Sequence, residues 1–463
     1  MSGRSAPDCG TIQGSGEKNL GPAARNSMNG TIPKRISAAI LNSLSAGVVP
    51  RIGLEYIAVG RKREIGTLLR DLDNLGQGAA SFRFITGRYG SGKSFFMQAI
   101  RNYAMENDFL TADAELSPEK RLSGSRRAGL ATYRELVQRL SGRLRPEGGA
   151  LEGILQKWIN SIRLELIAAG CAADGDELPA RMEARIFQTV GEMEDLARGY
   201  DFAAVIAQYY RAYTGGEDEK KHAAIRWLRG EYASRKEARA LLPVGEIIGD
   251  DNWYEYLKLI AAFAFRIGYR GFLIFIDEGA NLFKITNRQS RENNYEKLLT
   301  MFNEVTQGRT GRLGIYMAGT PQFIEDERRG LFSYAALRSR LEDSRFVREG
   351  YADYGSPILR LTQLTREELY LLLERLRDIH AGHYGYGAVL GKRELSAFLE
   401  LAFSVPGAGE FITPREICRD FIGLLNILHE DGDADFDTLV YRDGYTVQGF
   451  PPGGDGGWAD FDV

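Results

Sequence analysis

Phe82-Arg83-Phe84-Ile85-Thr86-Gly87-Arg88-Tyr89-Gly90-Ser91-Gly92-Lys93-Ser94-Phe95-Phe96-Met97 reads as a short apolar strand, a glycine-rich turn and the opening of a helix. Gly87 to Ser94 fits G-x-x-x-x-G-K-[ST], the phosphate-binding loop pattern, in the strand-turn-helix setting that the pattern needs. Glycines let backbone N–H groups converge with no Cβ in the way, and the following helix adds the positive end of its dipole. The stretch Gly87, Arg88, Tyr89, Gly90, Ser91, Gly92, Lys93, Ser94 and Phe95 is therefore expected to hold a nucleoside triphosphate. Lys93 is placed to reach the β- and γ-phosphates, and Ser94 to ligate Mg²⁺.

A second motif lies far downstream. Gly271-Phe272-Leu273-Ile274-Phe275-Ile276-Asp277-Glu278 is a continuous apolar run ending in two acids, the pattern of a parallel strand buried on both faces. Two carboxylates at such a tip are costly unless a cation or water meets them. Asp277 is expected to hold Mg²⁺, directly or through water, and Glu278 to polarise an attacking water as general base. Leu313 to Thr320 reads as another buried strand, with Thr320 at its tip as the candidate contact to a γ-phosphate; an ordinary strand-end turn is the alternative. Pro357 to Leu361 is a last short strand.

The 463 residues predict two or three structural units, and 44% hydrophobic with 26% charged residues is ordinary for a globular chain. A net charge of −3 means that any nucleic-acid surface must be local. Cys9, Cys171 and Cys418 are far apart, which argues for a reducing, cytoplasmic setting and against a disulfide framework or zinc site. The four histidines are too scattered to suggest a metal cluster, with His380 and His383 read as surface or capping residues. No apolar run is long enough to span a bilayer, so no membrane partner is expected.

Residues 1–33 read as a disordered segment rich in Gly, Ser, Asn and Pro, with Met28 an alternative start to Met1. Helical spacing begins at Ile36, Ile40, Leu41 and Leu44 and resumes through Leu68, Leu69, Leu72 and Leu75. A basic stretch runs from Lys120 to Arg145, and Arg121, Arg126, Arg127 and Arg134 within it are candidates for DNA phosphate contacts. The alternative is the solvated face of a helix. Helical periodicity fills the span to Phe265, far longer than a usual strand connection, and predicts a helical insertion over about 120–266. Three further helices are expected at roughly 366–380, 393–403 and 413–429, the first with Thr365 as cap and Glu368 at the capping-box position, the last opening Thr413-Pro414-Arg415-Glu416 with Thr as cap and Pro at the first helical position. The tail 441–463 reads as flexible, acidic and aromatic, a candidate docking peptide.

The order of these features resembles origin-recognition-like AAA+ ATPases. The segments that carry the likeness are Gly60-Arg61, Gly87 to Ser94, Ile276-Asp277-Glu278, Ala318-Gly319-Thr320-Pro321, Leu337-Arg338-Ser339-Arg340 and Thr413-Pro414-Arg415-Glu416. The phrase Phe84 to Phe95 and the strand Ala112 to Leu116 are more closely similar to the BREX-type ATP-binding proteins (BrxC/BrxD-like), over roughly residues 36–440. The resemblance implies that Val59, Gly60 and Arg61 pack beside the adenine; a plain helix start at Gly60 is the alternative. It implies a sensor role for Arg415 on the γ-phosphate, and that Arg340 or Arg338 acts as an arginine finger in a neighbouring subunit, against the alternative of a surface salt bridge. It also implies anti-phage defence, a helicase-like partner and self-association. No winged-helix DNA reader follows the last helices, which departs from replication initiators.

The expected fold is thus α/β: an AAA+ P-loop NTPase with a five-stranded central parallel sheet, a large helical insertion and a C-terminal helical lid. Its expected domains are a 34–345 nucleotide-binding core and a 346–440 lid. The expected reaction is ATP + H₂O → ADP + phosphate, on DNA with partner proteins. The rivals are a slow nucleotide-dependent switch that assembles a complex without contacting DNA, and an ATP-binding sensor of infection.

Overall fold

The computed structural model describes residues 32–442, apart from 174, 194–197, 348–351, 389 and 405–412. Of the segments expected to be disordered (1–33) and flexible (441–463), residues 1–31 and 443–463 lie outside the described residues. Five strands form one sheet in the order β2-β3-β4-β1-β5: β1 Ser81–Thr86, β2 Leu110–Glu115, β3 Phe272–Asp277, β4 Leu313–Gly319 and β5 Ile358–Arg360. Every pairing is parallel. The order matters for function, because β1 and β3 do not touch and β4 lies between them. Chain segments leaving neighbouring C-terminal strand ends diverge there, and the crevice outside those ends is where ligands bind in such sheets.

Side chains on a strand alternate faces, so each strand feeds two cores. Phe272, Ile274 and Ile276 join Phe82, Phe84, Ile315 and Met317 in one buried cluster. Leu273 and Phe275 join Ile85, Tyr316 and Ala318 in another. Covering both faces explains why β3 is apolar throughout rather than alternating, with its first five residues buried.

The second face is covered by α1 Lys62–Gly76, through Leu68, Leu72 and Leu75, and α2 Lys93–Glu106, through Phe96 and Ile100. Ion pairs fix both helices to the sheet. Arg83 on β1 grips Asp71 on α1 with two parallel bonds of 2.7 and 2.8 Å, and Arg101 on α2 reaches Asp113 on β2 at 2.7 Å. The first face is covered by helices from between β2 and β3, among them α3 Ala128–Gln138, α4 Leu151–Ala168, α5 Gly199–Gly215 and α6 Trp253–Arg266. Trp158, Trp227 and Trp253 are all buried in this cluster. Helix α7, Arg288–Thr306, follows β3 and packs on the same face through Leu298, Met301 and Phe302.

A third cluster is built by α8 Arg366–Tyr384, α9 Lys392–Ser404 and α10 Pro414–Glu430, and it takes in Ile40, Leu41, Leu54 and Ile57 from the N-terminal side. Both expected caps form: Thr365 with Glu368 and Thr413 with Glu416 make reciprocal capping boxes. His380 departs from its expected surface position. It is fully buried, with Nδ1 on the Tyr386 hydroxyl at 2.7 Å and Nε2 on Asn426 at 2.9 Å. His429, 49 positions away in the chain (429 − 380), comes to lie edge-on to it. Sequence separation hid this because the C-terminal ends of two separate helices, α8 and α10, bring the residues together. Among the described residues no group of three or more His, Cys, Asp and Glu is placed to hold a metal ion, and no helix is long and apolar enough to cross a membrane.

Candidate functional site

The turn Gly87–Gly92 leaves β1 at its C-terminal end and delivers the chain into α2, whose first helical residue is Lys93. The first amides of a helix have no intrahelical acceptor, so this end offers unsatisfied donors and a positive dipole. Gly90 sits at φ +75°, and a Cβ there would lie 2.4 Å from Thr413 Cγ2. Only a glycine allows both that backbone and the close approach of α10. Lys93 Nζ donates to the carbonyls of Gly87 at 2.8 Å and Arg88 at 3.1 Å, curling its charge back over the turn. Burial pushes the Lys93 ammonium below its usual range, with Asp277 and Glu278 opposing that shift. Ser91 Oγ and Thr86 Oγ1 are buried without a hydrogen-bond partner in the chain.

The tip of β3 meets this turn directly. Ser94 Oγ donates to Asp277 Oδ2 at 3.0 Å, linking two motifs 183 residues apart. Asp277 Oδ1 accepts from the backbone N–H of Glu278 at 2.7 Å. Glu278 itself is held at φ +55°, a left-handed backbone that costs a non-glycine residue about 1–2 kcal/mol. Burial raises the Glu278 carboxyl above its ordinary value, the charges of Asp277 and Glu115 raise it further, and Lys284 and Lys93 pull it down.

An ammonium, a hydroxyl beside a carboxylate, orphaned hydroxyls and open helix amides are the donors that a triphosphate with a divalent cation requires. The residues fit that ligand pair. Ser94 and Asp277 would hold the cation, and Lys93 with the turn's amides would hold the phosphates.

The other residues of interest fall into three groups, two of them expected from the sequence. Around the turn, Arg61 donates to the Ser91 carbonyl at 2.6 Å and to the Thr362 carbonyl, so it ties the loop to the chain following β5. A Cβ on Gly60 would lie 2.2 Å from Glu368 Oε1, which seats the start of α8 on the Gly60 backbone. Val59 and Phe95 pack against the C-terminal helical cluster. Arg415 at the start of α10 donates to the Tyr89 hydroxyl at 3.4 Å. Thr320 stands at the end of β4 and caps the short helix Pro321–Glu325, accepting from Phe323 N–H at 3.3 Å.

A second group is turned toward other partners. Arg338 pairs with Glu327 at 3.0 Å, and Arg340 donates to Asn303 at 2.7 Å. In the basic stretch, Arg134 donates through Nε and Nη2 to the Gly230 carbonyl and Arg127 to the Ala233 carbonyl. Arg126 is exposed, while Arg121 is half-buried. Arg126 and Arg127 both have left-handed backbones, at φ +63° and +62°. Asp250 holds that turn by accepting from Gly124, Gly129 and Leu130 N–H groups. Backbone strain pinned in this way is typical of a presented loop.

The third group was not foreseen. Glu115 ends β2 opposite Asp277 in the sheet register, which puts three carboxylates on neighbouring strand ends. The alternation Ala112-Asp113-Ala114-Glu115 carried a signal, but only the β2–β3 pairing gives it meaning. Lys284, six residues beyond Glu278, is the nearby cation whose charge acts on it (284 − 278).

Residues 32–443 match the model of the family described as BREX system ATP-binding protein BrxC/D. The chain belongs to that family. The match covers the sheet, the glycine-rich turn, both acids of β3 and the C-terminal helices, so this BREX family member carries the whole candidate site within the matched span. None of the curated proteins compared with the chain matches it.

Proposed function

We propose that this BREX ATP-binding protein hydrolyses ATP as an AAA+ ATPase of an anti-phage defence system, acting on DNA with partner proteins such as a helicase. The observation that carries the hydrolytic reading is the 3.0 Å bond from Ser94 to Asp277 with Glu278 adjacent. It sets cation ligands and a candidate base at the mouth of the phosphate turn. Lys93 and the amides of Gly87–Gly92 bind and orient the triphosphate. Ser94 and Asp277 hold Mg²⁺, which when bound withdraws charge from the phosphate oxygens. Glu278 accepts a hydrogen bond from the attacking water and takes its proton; a base acting in this way contributes about 10²–10⁴ in rate.

Residues 34–345 then form the nucleotide-binding core, with the helical insertion at about 120–266, and residues 346–440 the lid. Arg415 acts from the lid on the phosphate side, in keeping with its reach to Tyr89. Val59 to Arg61 flank the base, Thr320 senses the γ-phosphate, and Arg340 or Arg338 acts from an adjacent subunit of a homo-oligomer. DNA contact falls to Arg121, Arg126, Arg127 and Arg134. A second reading, a switch that does not touch DNA, is favoured by the internal bonds that occupy Arg127 and Arg134.

ATP turnover with and without double-stranded DNA separates the two, with Glu278→Gln as the blank. DNA stimulation that is lost in Glu278→Gln supports the DNA-acting ATPase. Turnover indifferent to DNA leaves the switch.

A further inference from the structure

Beyond the phosphate turn, a pocket of about 220 Å³ opens between the chain leaving β2 and the chain leaving β3. Pro118 and Arg121 form one wall, and Asn281, Lys284, Asn287 and Ser290 form the other. No carboxylate lines it. Its two cations make no ion pair among the described residues, whereas their basic neighbours are occupied: Lys120 pairs with Glu135 and Arg288 with Glu292. Arg121 Nε is buried without a hydrogen-bond partner. That nitrogen is out of solvent reach, so a ligand in the pocket meets the guanidinium through its terminal nitrogens.

The walls are fastened by side chains. Asn294, fully buried on α7, accepts from the Leu122 and Ser123 N–H groups at 2.9 and 3.0 Å and donates to the Ser123 carbonyl at 2.8 Å. That locks the loop bearing Arg121 onto α7. Asn281 donates to the Leu116 carbonyl at 2.8 Å and fastens the other wall to the end of β2. The N-terminal end of α7, a helix of 19 residues, borders the pocket at Asn287 and Ser290. Asn287 caps the Ser290 N–H at 2.8 Å, and the dipole of the helix end adds to the two side-chain charges.

We propose that this pocket binds a phosphate group, held by Arg121 and Lys284 and bordered by the N-terminus of α7. A guanidinium fork, an ammonium and a helix N-terminus converging on carboxylate-free space match a tetrahedral oxyanion. Phosphate reaches such a place either in a nucleic-acid backbone or as the free ion. The pocket deepens the DNA reading at Arg121 and is independent of Arg126 and Arg127. Because Lys284 also acts on Glu278, the pocket lies within electrostatic reach of the candidate base.

The test uses the full chain and the double variant Arg121→Gln with Lys284→Gln. Binding of a fluorescent oligonucleotide is followed by anisotropy over a salt series, and binding of inorganic phosphate by calorimetry. If a backbone phosphate occupies the pocket, oligonucleotide affinity falls about tenfold, as expected for losing a hydrogen bond to a charged group. The slope of log affinity on log salt also falls by about one. Loss of inorganic phosphate binding alone assigns the free ion. If neither changes, while circular dichroism and ATP affinity match the parent, the pocket is not a phosphate site. Oligonucleotide binding that is abolished by Arg126→Glu with Arg127→Glu but untouched by the pocket variant overturns the backbone assignment and leaves the DNA reading standing.

Discussion

At the scale of single residues, Glu278 combines a strained backbone with a shifted carboxyl. Its backbone is left-handed, and its carboxyl is raised by burial and by two neighbouring acids. A general base must be ionised to act, so turnover falls as pH drops through this raised value, on an acid limb displaced upward from that of a free carboxylate. Glu115→Gln removes one of the charges that raise it. The pH–rate profile of Glu115→Gln is therefore expected to show its acid limb at lower pH than the parent. An unmoved limb would mean that Glu115 does not act on the base. The position of Glu278 just past the tip of a buried strand was legible from the apolar run that ends in two acids. Its coupling to Glu115 was not, because cross-strand neighbours follow from strand order and not from chain order.

Among the elements, the contact that decides most is the start of α10 against the phosphate turn. Gly90 carries a positive φ and faces Thr413, the capping residue of α10. Gly90→Ala places a methyl where Thr413 Cγ2 lies 2.4 Å away and imposes a left-handed backbone on alanine. Together these are expected to cost about 1–3 kcal/mol, read as a lower midpoint in denaturant unfolding, and to weaken ATP binding. Adding Thr413→Ser keeps the capping hydroxyl and removes the nearest methyl, so it should recover part of both losses. Recovery of neither would show that the strain lies in the turn alone. The elements themselves were largely readable from the sequence. Both Thr caps, the five strands and the helical span between β2 and β3 were expected, because caps and periodicity are local signals. What sits on what was not readable. Gly60 against Glu368, Arg61 on the Ser91 carbonyl and His380 beside His429 join residues far apart in the chain, and no local pattern announces such contacts.

At the scale of the whole molecule, three apolar clusters meet around one turn. Two lie on opposite faces of the sheet, and the third joins the C-terminal helices to the N-terminal segment. Lys93 stands where the sheet and α10 converge, so a ligand held there bridges separately packed parts and should stabilise the whole chain by mass action. At one hundred times its dissociation constant, a ligand adds about 2.7 kcal/mol. The most direct measurement is thermal unfolding with and without ATP and Mg²⁺, paired with turnover, for the parent chain, Lys93→Ala and Glu278→Gln. Site geometry predicts that ATP raises the melting temperature of the parent and of Glu278→Gln but not of Lys93→Ala, with turnover only in the parent. An equal rise in Lys93→Ala, or undiminished turnover in Glu278→Gln, would contradict the assignment of this site.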